Sequence, residues 1–421
     1  MSAPGHALGG SLSRRPVQLA LGLVCAYVLA TVPFHAEAAD PEPEVRALWV
    51  TRSSLVSPES ITAMVQSARA GLFNTLLVQV RARGDAYFNG GVEARATQLS
   101  RQHAAFDPLQ TVLTAAHAAG LRVHAWVNVG LVASAADLPS EPTHVVYRHP
   151  EWLMVPRALA RQMTLLDPRS RLYVDKLARW VRGQSTEVEG LYLSPIPAGA
   201  VDYAVEIISD LTARYAIDGV HLDYARYPND DFDYSREALA AFAAEVIPTL
   251  PAADEVRLRR LASAQPLAYV DAFPDRWRDY RRERLTALVR RLGDAVRTRR
   301  PDALVTAAVH PDASDAATRR LQDWRAWLAN GSVDVVCPMA YAADVPAFTA
   351  LLASALAGAG ERPLWAGIGA YRLTSKQTIE SILAARRAGA DGIVLFSYDS
   401  VAGGPQGPDY LAQVGQAAFA R

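Results

Sequence analysis

The sequence predicts a (β/α)8 barrel, and three observations carry that expectation. Short β-type runs alternate with helical stretches eight times, at spacings that suit one strand–helix unit each. Several helical stretches end in glycine just before the next strand, as in "AAGLRV", "ANGSVD" and "AGADGI"; a glycine past the last helical residue lets the chain turn away. Several strands also carry one apolar row and one row that becomes polar toward the C-terminal end, where barrel enzymes place their chemistry. A doubly wound open sheet is the alternative, but it calls for a glycine-rich phosphate turn after an early strand, and none is present.

The strand candidates are, in order, "RALWVTR" from Arg46, "TLLVQVRAR" from Thr75, "RVHAWVNV" from Arg122 and "DGVHLDYARY" from Asp218. They continue with "ALVTAAVHP" from Ala303, "VDVVCPMAY" from Val333, "PLWAGIGAY" from Pro363 and "GIVLFSYDS" from Gly392. The first two helices open on Ser-Pro in "SPESITAMVQSARAGL" and Asp-Pro in "DPLQTVLTAAHAAGL". In each a capping oxygen precedes a proline that needs no helical N–H partner. Two connections are long: residues 130–190 after strand three and 229–276 after strand four. Both fall on the catalytic face of a barrel, where long loops shape clefts. The run "RWRDYRRERL" from Arg276 reads as a solvated helix face.

Ahead of the barrel the chain changes character. Arg14 and Arg15 precede an apolar run from Val17 to Phe34, and Ala36-Glu37-Ala38 follows as a small-x-small cleavage site. This is the three-part anatomy of a secretory signal peptide over residues 1–38, and the twin arginine admits export in the folded state. The expected organisation is therefore signal 1–38, a short lead-in 39–44 and one barrel domain over 45–421, exported to the periplasm or secreted. No later apolar run is long enough to span a bilayer. Cys25 leaves with the signal, and Cys337, set in an apolar run, reads as a buried small hydrophobe. The balance of 43 basic against 43 acidic side chains argues against a nucleic-acid binder. A 50% hydrophobic composition supplies a large core.

Side chains alternate along a strand, so each candidate splits into two rows. In strand four Val220, Leu222 and Tyr224 form the row expected to meet the helices, while His221 and Asp223 point into the barrel near its top. Strand two offers Gln79 and Arg81, strand three His124, Trp126 and Asn128, and strand five Thr306, Ala308, His310 and Asp312. Each residue alone has a structural reading: a satisfied core histidine, Trp126 as barrel filling, or Arg81 as the ion-pair partner of Asp223. Four strands burying polar rows together point instead to one polar pocket.

No metal spacing such as H-x-x-x-H or C-x-x-C occurs, although His124, His221 and His310 with Asp223 or Asp312 could meet in space. A G-x-S-x-G elbow is absent, and nothing calls for a cofactor. Carboxylates beside aromatics, amides and arginines suit hydrolysis of a sugar polymer, which needs one acid for the leaving oxygen and one carboxylate as nucleophile or base. Aromatic faces at Trp126, Tyr227, Tyr341 and Tyr371 and polar groups such as Arg226 would hold the rings and hydroxyls.

The segments "RALWVT", "NTLLVQVRARGDAYF", "FDPLQTVLTAAHAAGLRVHAWVNV" and "YAIDGVHLDYARYP", followed by "VDVVCPMAY" and "WAGIGAY", resemble the glycosyl-hydrolase-like family 10 of bacterial envelope proteins. The resemblance implies a TIM barrel acting on glycans, with peptidoglycan strands among the candidate substrates, and makes Asp223 the foremost acid. Members commonly carry a second Asp directly after it, where Tyr224 stands here. The second acid is therefore open: Asp85, within a family segment, ranks slightly ahead of Asp312, which parity favours, and Asp85 could equally cap the turn at Gly84. Set against the D-x-x-D-x-D-x-E strand of chitinase-type hydrolases, Ala225 occupies the Glu position, which does not support that substrate-assisted mechanism. A non-catalytic glycan-binding barrel and a metal-dependent deacetylase or hydrolase are the other functions considered.

Overall fold

The computed structural model describes residues 44–184, 186–404 and 407–420; the expected signal segment lies outside them. Eight strands form the central sheet: β1 Val45–Val50, β2 Thr75–Arg81, β3 Arg122–Asn128, β4 Gly219–Asp223, β5 Leu304–Val309, β6 Val335–Pro338, β7 Trp365–Ile368 and β8 Gly392–Phe396. Parallel ladders run in the order β6-β5-β4-β3-β2-β1-β8-β7. The remaining seam is closed by bridges Val336–Leu364 and Met339–Gly367, where the Ala340 N–H donates to the Gly367 carbonyl at 3.1 Å. All eight predicted strands are present, and the sheet is a TIM barrel.

The local chemistry sets the helices between them. Ser57 caps the helix Pro58–Ala70 by accepting from Ser60 N, and Asp107 caps Pro108–Ala118 by accepting from Gln110 N. The helix Ser375–Ala388 ends on Gly389 at φ +89°, a left-handed position that a side chain would strain.

Strand parity divides the core into two layers. Val78, Val80, Val123, Ala125, Val127, Val220 and Leu222 face the helices in the main hydrophobic cluster. The opposite row fills the barrel with Trp49, Leu77, Trp126, Cys337 and Trp365. Cys337 is fully buried there, and burial pushes its thiol pKa well up, as an inert packing residue requires.

Both long connections carry structure of their own. After β3, Leu131–Ala133 pairs antiparallel with Leu191–Tyr192, and the amphipathic helix Arg171–Gly183 buries Tyr173, Val174 and Leu177. After β4, the helices Arg236–Val246 and Ala252–Ala262 build a satellite core around Phe242, Leu258, Trp277 and Tyr280. The arginine run is only partly a solvated face. Within the helix Pro274–Arg299, Arg281 is buried and donates to the carbonyls of Asp230 (2.7 Å) and Phe232. It thereby ties the connection after β4 to the barrel.

Gly219 shows how tightly the inner row is packed. It pairs with His124 across β3 and β4, and a Cβ there would stand 2.6 Å from the His124 ring and 2.7 Å from the Leu304 carbonyl oxygen. Gly219→Ala should therefore cost about 1–3 kcal/mol by overpacking. The expected readout is a lower urea midpoint at an unchanged m-value; an unchanged midpoint would contradict this packing.

Candidate active site

The floor of the site is a hydrogen-bonded layer inside the barrel. His221 is fully buried; its Nε2 accepts the Trp49 indole N–H at 2.9 Å. That leaves the proton on Nδ1, which faces Thr306 Oγ1 at 2.9 Å and donates to it. Burial pushes the His221 pKa down to about 3, so the ring stays neutral. His124 lies beside Trp365 with ring centroids 5.6 Å apart. Its pKa is lowered to about 4, by burial above all, and its Nδ1 has no hydrogen-bond partner. Both histidines support the cavity from below and do not line it.

Above them a cavity of about 600 Å³ opens at the C-terminal ends of the strands. Gln79, Trp126, Asn128, Asp223, Arg226 and Tyr341, all expected in the site, line it together. Trp49 and Phe396 complete an aromatic surface, Phe396 stacking on Tyr341 at 5.4 Å. Gln79 Nε2 donates to Asn128 Oδ1 at 3.4 Å, while Asn128 Nδ2 is anchored on the Ala82 carbonyl at 2.7 Å.

Asp223 ends β4 and is 8% exposed. Its Oδ1 accepts the Tyr224 backbone N–H at 2.6 Å, and among the described residues no cation is within ion-pair distance. Burial pushes its pKa up to about 6, against the pull of Arg226. Arg226 is itself engaged: Nη2 donates to Glu189 Oε1 at 2.6 Å, and the guanidinium lies 4.8 Å from the Tyr224 ring centroid. Its Nε and Nη1 are buried without partners. Burial opposes the charge of Glu189, but Arg226 and the Tyr192 hydroxyl, at 2.7 Å, outweigh it and lower its pKa.

Other expected residues lie elsewhere. Arg81 does not pair with Asp223. The β2–β3 register slips at a bulge between Gln79 and Arg81, and Arg81 forks onto Glu93 at 2.6 and 2.7 Å instead. Asp85 lines an adjoining basin, where its Oδ1 caps the Gly84 turn by accepting Arg83 N at 2.9 Å. Asp312 lies beyond the end of β5, exposed, capping the helix Ala313–Arg319 through Asp315 N and holding Ser354 Oγ at 3.2 Å. His310 also lies past the strand end and is absent from the cavity lining; burial first, then Arg226 and Arg320, lowers its pKa to about 4. Tyr227 is fully buried in the main core, its hydroxyl 3.5 Å from the Arg281 carbonyl. Among the described residues no group of three or more His, Cys, Asp or Glu could hold a metal.

Several lining residues escaped sequence reasoning: Trp49, Arg52, Arg83, Tyr87 and Tyr224. Trp49 sits on the inner row of β1, so parity applied to "RALWVTR" would have found it. Tyr224 carries no such signal: at φ +51° it leaves the strand geometry and turns from the helix-facing row into the cavity.

Asp223 should weaken the fold at neutral pH. Its folded pKa of about 6 exceeds the ordinary 3.8, so the folded protein binds the proton more tightly than the unfolded chain. The penalty grows as pH rises from about 4 to 6 and vanishes below. Asp223→Asn should thus stabilise the protein by about 2–3 kcal/mol at pH 7 and by only about 0.5 kcal/mol at pH 4, read by urea denaturation at both values. A gain undiminished at pH 4 would contradict a desolvated carboxylate.

Residues 44–361 match the family described as glycosyl hydrolase-like 10. A curated relative, glycosyl hydrolase YngK of Bacillus subtilis (strain 168), is 22% identical over 358 residues, covering 77% of this chain. The match spans 59% of that relative's length. Among solved structures, the PgaB (BpsB) glycoside hydrolase domain from Bordetella bronchiseptica aligns with TM-score 0.59 at 19% identity, over 88% of this chain and 99% of that one. The β-amylase catalytic domain from Paenibacillus polymyxa aligns with TM-score 0.56 at 10% identity, over 89% of this chain and 97% of that one. At such identities the solved structures speak for the fold alone. With the family match over most of the barrel, the chain belongs to the glycosyl hydrolase-like 10 family.

Proposed function

We propose that the protein is a glycoside hydrolase that cleaves a cell-envelope or extracellular polysaccharide, peptidoglycan glycan strands being one candidate, with Asp223 as the general acid. The observation that carries this is a carboxyl group at a barrel mouth whose burial raises its pKa to about 6, inside a cavity walled by aromatic rings and amides. A group so tuned holds a proton near neutral pH and can deliver it to a leaving glycosidic oxygen. Trp126, Tyr341 and Trp49 offer ring faces for sugars, and Gln79 and Asn128 offer amides for hydroxyls. Asp223 is the one carboxylate among the described lining residues, so the second carboxylate that glycoside hydrolysis ordinarily uses as nucleophile or base is not among them.

Asp223→Asn should lower kcat by about 10²–10⁴-fold, measured as reducing ends released from peptide-free peptidoglycan and comparable polymers. In the native protein kcat/KM should fall as pH rises through about 6, because the acid must be protonated. Undiminished turnover in the variant would exclude Asp223 as the catalyst. The single lining carboxylate also favours a second function, glycan binding without turnover, which predicts saturable binding and no product after long incubation.

We also propose that the protein is exported. The basic Arg14-Arg15, the apolar run Val17–Phe34 and Ala36–Ala38 support this. Mass spectrometry of the protein recovered from the producing cell should then find a mature N-terminus near Ala39, and a retained residue 1 would refute cleavage.

A further inference from the structure

We propose that the cavity is built for an acidic saccharide, with Arg52 and Arg83 forming a paired seat at its rim for a sugar carboxylate. The inference rests on the glycan reading above and goes further by naming the charge of the substrate. Three guanidiniums, on Arg52, Arg83 and Arg226, line the cavity against one carboxylate, Asp223. Arg226 is matched by Glu189 at 2.6 Å. Arg52 and Arg83 are not matched: among the described residues neither has an ion-pair partner within 4.0 Å.

Their surroundings offer only weak compensation. Arg52 Nη1 reaches the neutral Gln79 Oε1 at 3.4 Å. Arg83 is half-buried; desolvation and then the nearby Arg52 charge lower its pKa, while Asp85 and Asp137 pull the other way. Asp85 Oδ1 accepts the Arg83 backbone N–H at 2.9 Å. Two like charges held close together in a partly desolvated place are costly unless an anion completes the site. A planar carboxylate matches the fork of a guanidinium in shape and charge.

The position of the pair fixes what it would grip. A second basin of about 210 Å³, with Asp85 and Arg95 in its wall, shares Arg52, Arg83 and Gln98 with the main cavity. Arg95 Nε and Nη2 are buried there without partners. The two basins meet across the arginine pair, so a glycan chain lying through both would carry an acidic unit past it, next to the unit beside Asp223.

Binding should be measured by calorimetry in the Asp223→Asn background, so that it does not depend on turnover. The ligands are peptide-free peptidoglycan strands and polygalacturonate, each compared with its carboxyl-reduced form. At least one acidic polymer should bind about tenfold or more tightly than its reduced form, with the difference shrinking as salt rises. Arg52→Gln and Arg83→Gln should each remove most of that preference, and Arg83→Lys should restore part of it. Equal binding of acidic and reduced polymers, no binding of either, or a preference untouched by both Gln variants would overturn the proposal. An acidic preference without product from the native protein would defeat hydrolysis and leave this inference standing. Cleavage of neutral polymers without acidic preference would do the reverse.

Discussion

The site depends on one constraint: Asp223 is desolvated at the barrel mouth and denied a direct cation. Had Arg81 paired with it, the carboxyl would be held ionised and could not serve as an acid near neutral pH. The β2 bulge prevents this by sending Arg81 onto Glu93, which also accepts the Tyr203 hydroxyl at 2.8 Å. Arg226 is close enough to pull on the carboxyl, yet Glu189 holds its guanidinium at 2.6 Å. Two arginines that could have neutralised Asp223 are thus engaged by glutamates from the loops, and the raised pKa survives.

A buried acid also needs a floor that excludes water without leaving polar groups stranded. The Trp49–His221–Thr306 chain supplies it, with each 2.9 Å contact joining a donor to an acceptor across β1, β4 and β5. A protonated His221 would lose its acceptor role toward Trp49 and place a charge in the barrel, so its low pKa follows from the same desolvation that raises Asp223. One environment drives a base and an acid toward their neutral forms, in opposite directions on the pH scale. His124 is the loose end of this floor, with Nδ1 unpartnered against Gly219.

The barrel was legible because its signals are local and repeated: capped helices, terminal glycines, strand–helix alternation eight times over and alternating rows in four of the strands. Several site residues were legible on strands, although period two also pointed His124 and His221 into the site, and they lie beneath it. Gln79, Trp126, Asn128 and Asp223 follow from period two, and all four line the cavity. The rule failed wherever the backbone left strand geometry. It was carried past the end of β5 to His310 and Asp312, and past the end of β4 to Tyr224, whose left-handed φ reverses its direction. The bulge in β2 did the same to Arg81. Arg52 and Arg83 sit in the loops just after β1 and β2, where periodicity says nothing and only folding brings them together.

Such loops are also where this barrel acquires its particular chemistry. The strands contribute rings, amides and one acid, a set that fits many sugars. The connections contribute charge: Arg52 after β1, Arg83 and Glu93 after β2, Glu189 and Arg226 from the segments flanking β4. Glu189 reaches Arg226 because the antiparallel pairing of Leu131–Ala133 with Leu191–Tyr192 brings its segment back to the barrel, and Arg281 anchors the next connection from the helix side. Strand residues therefore set the shape of the cavity, while loop residues set most of its charge. On the proposal of an acidic saccharide, a substitution in those loops would change the preferred substrate charge without disturbing the packed layers beneath.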